Sequence, residues 1–226
     1  MNGFDLEAAT ILEVVVGSRV FGLETSASDT DRRGIFAAPA SAFWGFTKPP
    51  THVDGPLPEQ FRWEVERFCE LALVANPNVL EVLHSPLVER ITPEGEELQA
   101  LRPAFLSRRV AGTYLHYARA QFVKAQRGVE RDGHPVWRHV THLLRLLAEG
   151  KSLVETGVLT LSVGEEREFL LSVKRGEVPW AEVNRRQAAL ADGLEAALPR
   201  SPLPAEPDTR RVEEWLISLR RRSLTP

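Results

Sequence analysis

Residues 11–16 read ILEVVV, a short β-branched run that stops at the pair Gly17-Ser18. Branching at Cβ stiffens the side chain and favours extended backbone, and an apolar run of this length closed by a turn pair reads as a buried strand. A strand with apolar residues on both faces belongs in the middle of a sheet, so the chain must supply neighbours for it. The segment SASDTDRRGIFAAP, residues 26–39, is one: it starts polar, ends apolar and is closed by Pro39, as expected of a second strand entering the core from solvent.

Residues 47–58, TKPPTHVDGPLP, carry Pro49, Pro50, Pro56 and Pro58 and read as an irregular connection. Beyond it Phe61, Trp63 and Val65 alternate like a strand, while Val65, Phe68, Cys69, Ala72 and Leu73 recur at helical spacing. A strand passing into a helix near Glu64 satisfies both. Asn76-Pro77-Asn78 breaks that helix, and VLEVLHSP is a further apolar element ending at Pro86. From residue 94 the pattern is helical over 103–127, 136–149, 165–175 and 180–198, with Gly150 and Gly176 where helix ends are expected. A proline-rich linker at 201–207 precedes a last helix over 209–222. The fold class that follows is α+β: a core of small mixed β-sheet with flanking helices over residues 1–93, then an all-helical region over 94–226 closing a cleft.

A chain of 226 residues with 43% hydrophobic residues can bury a sizeable core. Its net charge of -3 gives no global electrostatic reason to coat nucleic acid or an anionic membrane. The single cysteine, Cys69, excludes an intramolecular disulfide and a cysteine-rich zinc cluster, and it falls on an apolar helical stripe as a core residue. The beginning MNGFDLEAAT is acidic where a secretory leader is basic, and no run of about 18 apolar residues occurs. The expectation is a cytoplasmic chain without a membrane span; no feature specifies an oligomeric state.

The chemistry-bearing stretch is GSRVFGLETSASDTDRRG, residues 17–34. On an extended strand Asp29 and Asp31 share a face, because side chains alternate with period two. Two carboxylates held together repel, and a hard cation such as Mg²⁺ or Mn²⁺ relieves the repulsion and can be shared with a nucleotide's phosphates. Gly17 admits backbone amides close to a phosphate, the Ser18 hydroxyl can donate to it, and a helix beginning there adds an anion site. A phosphate cradle facing a carboxylate pair is the equipment of metal-dependent phosphoryl or nucleotidyl transfer. On the helical half, Arg138, His139, His142 and Arg145 lie three and four residues apart, a basic face able to hold phosphate. His84, His116 and His134 are scattered, and Arg220, Arg221 and Arg222 read as a solvated helix end. There is no G-x-x-x-x-G-K-[ST] loop and no kinase catalytic loop.

Gly17-Ser18 followed by Asp29-Thr30-Asp31 resembles the signature of the DNA polymerase beta-like nucleotidyltransferase superfamily. The likeness extends through WEVERFCELALVANPNVLEVLHSP, RPAFLSRR, RHVTHLLRLL and SPLPAEPD, and so is similar to a bacterial predicted-nucleotidyltransferase family, also called the RNA repair pathway DNA polymerase beta family. The resemblance implies that Gly17 and Ser18 hold a triphosphate, that Asp29 and Asp31 bind metal, and that Arg19 and Arg33 lie near the phosphates. It implies an NTP substrate, transfer of NMP to a hydroxyl of an RNA or protein acceptor, and release of pyrophosphate. A third carboxylate on a neighbouring strand completes such sites as metal ligand or base, and both Glu59 and Glu64 are open to that role. Because an aspartate is missing at that third position, the rival reading is a nucleotide-binding regulatory or antitoxin-like module that does not catalyse.

Overall fold

The computed structural model describes residues 4–224. The apolar run forms β1 (Thr10–Val16), buried at every position. With β2 (Asp31–Phe36), β3 (His52–Asp54), β4 (Gln60–Glu64) and β5 (Val88–Ile91) it makes a mixed five-stranded sheet in the order β3-β4-β2-β1-β5. β1 is antiparallel to both β2 and β5, β2 is parallel to β4, and β3 is antiparallel to β4. β2 passes from partly buried Asp31, Arg32 and Arg33 to buried Gly34, Ile35 and Phe36, so its polar end emerges beside the end of β1, with Val16 opposite Asp31. The 47–58 connection is more ordered than its prolines suggest: three of the five residues between Pro50 and Pro56 form the edge strand β3, a position where prolines can flank a strand without breaking an interior ladder.

Single turns α1 (Leu6–Ala9) and α2 (Ser18–Phe21) bracket β1. β4 runs directly into α3 (Val65–Leu73), whose N-cap is Glu64. Asn76 then caps α4 (Pro77–His84), accepting from the Asn78 amide at 3.1 Å with Pro77 in the first turn, so the expected helix stop is also a helix start. After β5 come α5 (Pro93–Ala100) and the single turn α6 (Arg102–Phe105).

The helical region comprises α7 (Arg109–Asp132), α8 (Trp137–Thr156), α9 (Arg167–Arg175), α10 (Trp180–Ala197) and α11 (Thr209–Arg222). Gly176, at φ 77°, ends α9 as expected. Gly150 does not end α8, which continues to a left-handed cap at Gly157. A Cβ on Gly150 would lie 2.9 Å from the Tyr114 ring, so this glycine lets α7 and α8 approach rather than terminating a helix. One buried apolar cluster runs from Ile11 in β1 to Leu219 in α11. Among the described residues no helix is long and apolar enough to cross a membrane.

Of the three terminal arginines, Arg221 is exposed as expected, whereas Arg220 and Arg222 are paired. α11 returns to the N-terminal half, where Arg220 bonds Glu64 at 2.8 Å and the Ala38 carbonyl at 2.7 Å and lies over the Phe43 ring. Arg222 pairs with Glu97. Helical periodicity shows only that these residues share an exposed stretch, not that its partner is a strand more than 150 positions earlier.

Candidate active site

A cleft of about 1170 Å³ opens where the ends of β1, β2 and β4 meet α4 and α8. Its floor and walls include Gly17, Ser18, Asp29, Asp31, Arg33 and Glu59 from the sheet side and Arg138, His142 and Arg145 from α8. Gly17 sits at φ 72°, a conformation that favours glycine, and a Cβ there would collide with the Asp31 carboxylate. The glycine turn and the strand carboxylate are thus packed against each other because β1 and β2 end in register. The α2 helix is a single turn, so it contributes the unused amides of its first residues rather than the macrodipole of a long helix.

Asp29 lies just before β2 rather than on it. It reaches the cleft because Arg19 holds the loop, donating through Nε to the Asp29 carbonyl at 3.1 Å and through Nη2 to the Ser28 carbonyl at 3.2 Å. Arg19 is therefore placed as a brace for the carboxylate loop and is not among the cleft-lining residues. Arg33 does line the cleft, 3.6 Å from Asp31 and bonded to the Glu59 carbonyl at 2.6 Å. Desolvation raises the Asp31 pKa above the ordinary aspartate value, Arg33 opposes this, and the charges of Asp29 and Glu59 add to it.

The two candidates for the third carboxylate part company. In the β2/β4 register Arg32 pairs with Gln60 and Arg33 with Phe61, which puts Phe61 and Trp63 on the Asp31 side of the sheet. Glu59, preceding Gln60 at φ 56°, lines the cleft. Glu64 falls in the opposite phase: only 3% exposed, it bonds Arg220 and the amides of Ala38 and Glu66. Burial raises its pKa despite Arg220. It is a structural anchor for α11, away from the cleft.

Among the described residues no three His, Cys, Asp or Glu side chains converge tightly enough to hold a metal ion on their own. Asp29 and Asp31 with Glu59 nearby instead make an anionic cluster of hard oxygens. That donor set fits Mg²⁺ or Mn²⁺, ions bound through one or two carboxylates with the remaining positions left to water and substrate phosphate.

The α8 face is less basic than its spacing suggests. Arg138 is exposed at the cleft. Arg145 is buried and already engaged, with Nη2 on Glu81 at 2.7 Å, Nη1 on Glu149 at 2.6 Å and its guanidinium 3.7 Å from the Phe21 ring centre. Tyr114 donates to Glu149 at 2.9 Å, and burial raises the Glu149 carboxyl above the usual carboxylate range against the pull of Arg145. Arg145, expected as a phosphate contact, sits at the edge of the cleft as the centre of a buried network tying α4 to α7 and α8. His142 is pushed down to about 3, chiefly by burial and then by Arg145, and its Nε2 is buried without a hydrogen-bond partner among the described residues. Burial thus disfavours its cationic form. Lys174, Asn78, Thr141, Phe61 and Trp63 also line the cleft; Lys174 has no local sequence signal because α9 reaches the cleft only through helix packing.

The two buried histidines should contribute to the loss of stability in acid. His84 is pushed down to about 4 and His142 to about 3, against 6.5 for the free side chain. Both folded values lie below the unfolded one, so the unfolded chain binds more protons as pH falls below about 6.5. Each site should then cost about 1.4 kcal/mol per pH unit down to its folded pKa. Denaturant titrations at pH 7 and pH 5 check this: the stability lost between them should shrink in His84→Gln and His142→Gln. An unchanged loss in both variants contradicts it.

A solved nucleotidyltransferase-like protein from Exiguobacterium sibiricum 255-15 aligns over 95% of this chain and 74% of its own, at 16% identity and TM-score 0.31, too loosely to bear on the site. No curated protein matches the chain. The sequence pattern of the RNA repair pathway DNA polymerase beta family matches residues 5–218, nearly the whole length, and the chain belongs to that family.

Proposed function

We propose that the cleft binds an NTP with Mg²⁺ or Mn²⁺ and transfers its NMP to a hydroxyl, releasing pyrophosphate. The observation that carries the reading is the packing of Gly17 against Asp31 in a cleft that also gathers Asp29, Glu59 and Arg33. Asp29 and Asp31 would hold the metal, which when bound neutralises phosphate charge and orients the triphosphate. The amides and hydroxyl at Gly17-Ser18 hold phosphate oxygens, and Arg33 sets its charge between Asp31 and Glu59. The acceptor oxygen attacks the α-phosphorus, the bond to the pyrophosphate oxygen breaks, and Glu59 receives the acceptor proton. An RNA end is the acceptor favoured by the family's description, with a protein hydroxyl as the second possibility.

Pyrophosphate release with each of the four NTPs, alongside calorimetric binding, tests the reading. Glu59→Gln should lower turnover about 10²-fold with NTP affinity little changed, the size expected for loss of a general base. Glu64→Gln should leave turnover within a few-fold while weakening the α11 contact. Tight NTP binding with no pyrophosphate from the unaltered protein, whatever the acceptor, would favour a regulatory module instead.

A further inference from the structure

One wall of the cleft is aromatic, and the phosphate and carboxylate chemistry does not use it. Phe61 and Trp63 both line the cleft and are partly exposed, in phase with Arg33 and Ile35 of β2. Their rings meet edge to face at 4.6 Å between centres. They are braced from both sides, His52 stacking on Phe61 at 5.3 Å and Phe68 meeting the edge of Trp63 at 6.2 Å. Trp63 is packed on the main apolar cluster, whereas Phe61 is not part of it, so the Phe61 ring is held in place without being consumed by the core.

Position supplies the occupant. β4 runs parallel to β2, and Arg33, two residues past Asp31, is directly opposite Phe61. At about 3.3 Å per residue Phe61 stands roughly 7 Å along the sheet from the Asp31 level. A nucleobase is separated from its own 5′ phosphate by one sugar, which matches that offset. Fixed aromatic rings one sugar's length from a phosphate site suit a flat, π-bearing group, and they bind bases by stacking without regard to sequence.

We propose that Phe61 and Trp63 form a nucleobase-stacking platform for the NTP, Phe61 making the principal contact. The proposal rests on the NTP-binding reading of the same cleft and extends it from the triphosphate to the base. A purely structural role for the ladder, stabilising the β3–β4 edge, would act on folding and leave the base unread.

Binding of Mg·ATP and of Mg·tripolyphosphate to the full chain separates these accounts. The unaltered protein should bind ATP more tightly than tripolyphosphate. Phe61→Leu should weaken ATP about tenfold, within the range measured for removal of a base–aromatic stack, and leave tripolyphosphate unchanged. Phe61→Tyr, which keeps the ring, should restore ATP affinity, and melting temperatures report whether each variant is folded. Equal affinity of the unaltered protein for the two ligands overturns the platform while leaving the phosphate site standing. Equal weakening of both ligands in Phe61→Leu also overturns it. Failure of the unaltered protein to bind either ligand removes the NTP reading and the platform with it.

Discussion

Changing Asp29 and Asp31 together to Asn should lower pyrophosphate release by at least about 10³-fold, since each loss of a charged or preorganised group at a reacting phosphate costs on the order of 10²-fold or more. The same double variant should unfold at an unchanged or slightly higher temperature. Asp29 is exposed, and Asp31 is held above its ordinary pKa by desolvation and by the charges of Asp29 and Glu59. The sign follows: a carboxyl with a raised folded pKa favours folding only at acid pH, and that contribution is lost as pH rises through the folded value. At neutral pH the Asp31 carboxylate costs stability, which asparagine relieves while preserving the shape that packs on Gly17. Turnover by the double variant within tenfold of normal would remove the carboxylates from the mechanism; unfolding with loss of turnover would make them structural.

Arg145→Met should produce the largest loss of stability of any single change described. Arg145, Glu81 and Glu149 have side chains at most 8% exposed, and removing the one cation leaves two carboxyl groups buried without it. Breaking such a network by one partner costs about 3–5 kcal/mol. Arg145→Lys should recover little, because the guanidinium spans Glu81 and Glu149 with separate nitrogens and an ammonium lacks that planar fork. The triple change Arg145→Met, Glu81→Gln, Glu149→Gln should regain most of the stability, since the penalty comes from stranded charge rather than lost attraction. Denaturant midpoints for the three variants decide it, and a loss below about 1 kcal/mol in Arg145→Met contradicts a paired buried network. Because the network joins α4 to α7 and α8 beneath the cleft, its integrity also sets the position of the His142 and Arg138 face.

Local chemistry was readable from residue order where neighbours in sequence are neighbours in space. The β1 run, its stop at Gly17, the polar-to-apolar course of β2 and the β4-to-α3 transition near Glu64 all follow from short-range pattern. Glu59 and Glu64 were also distinguishable in principle: Phe61 and Trp63 set the phase of β4, and period two puts Glu64 on the other face. The prolines at 56 and 58 mark loop while leaving the alternation beyond them intact. Other features depend on packing between distant segments. The spacing of Arg138, His142 and Arg145 shows that they share a helix face, but not that Arg145 meets Glu81 of α4, or that burial keeps His142 neutral. Likewise Arg220 looks like any basic helix end until α11 folds back onto Glu64.

Nucleotidyl transfer in the cleft of Gly17, Asp29 and Asp31 is tested most directly by incubating the protein and Mg²⁺ with NTPs labelled at either the α- or the γ-phosphorus, in the presence of a mixed pool of RNA and protein acceptors. The account predicts that α-label alone becomes attached to an acceptor, with one pyrophosphate released per label and none transferred by the Asp29→Asn, Asp31→Asn variant. Transfer of γ-label in its place, or α-label transfer that persists in that variant, would contradict it.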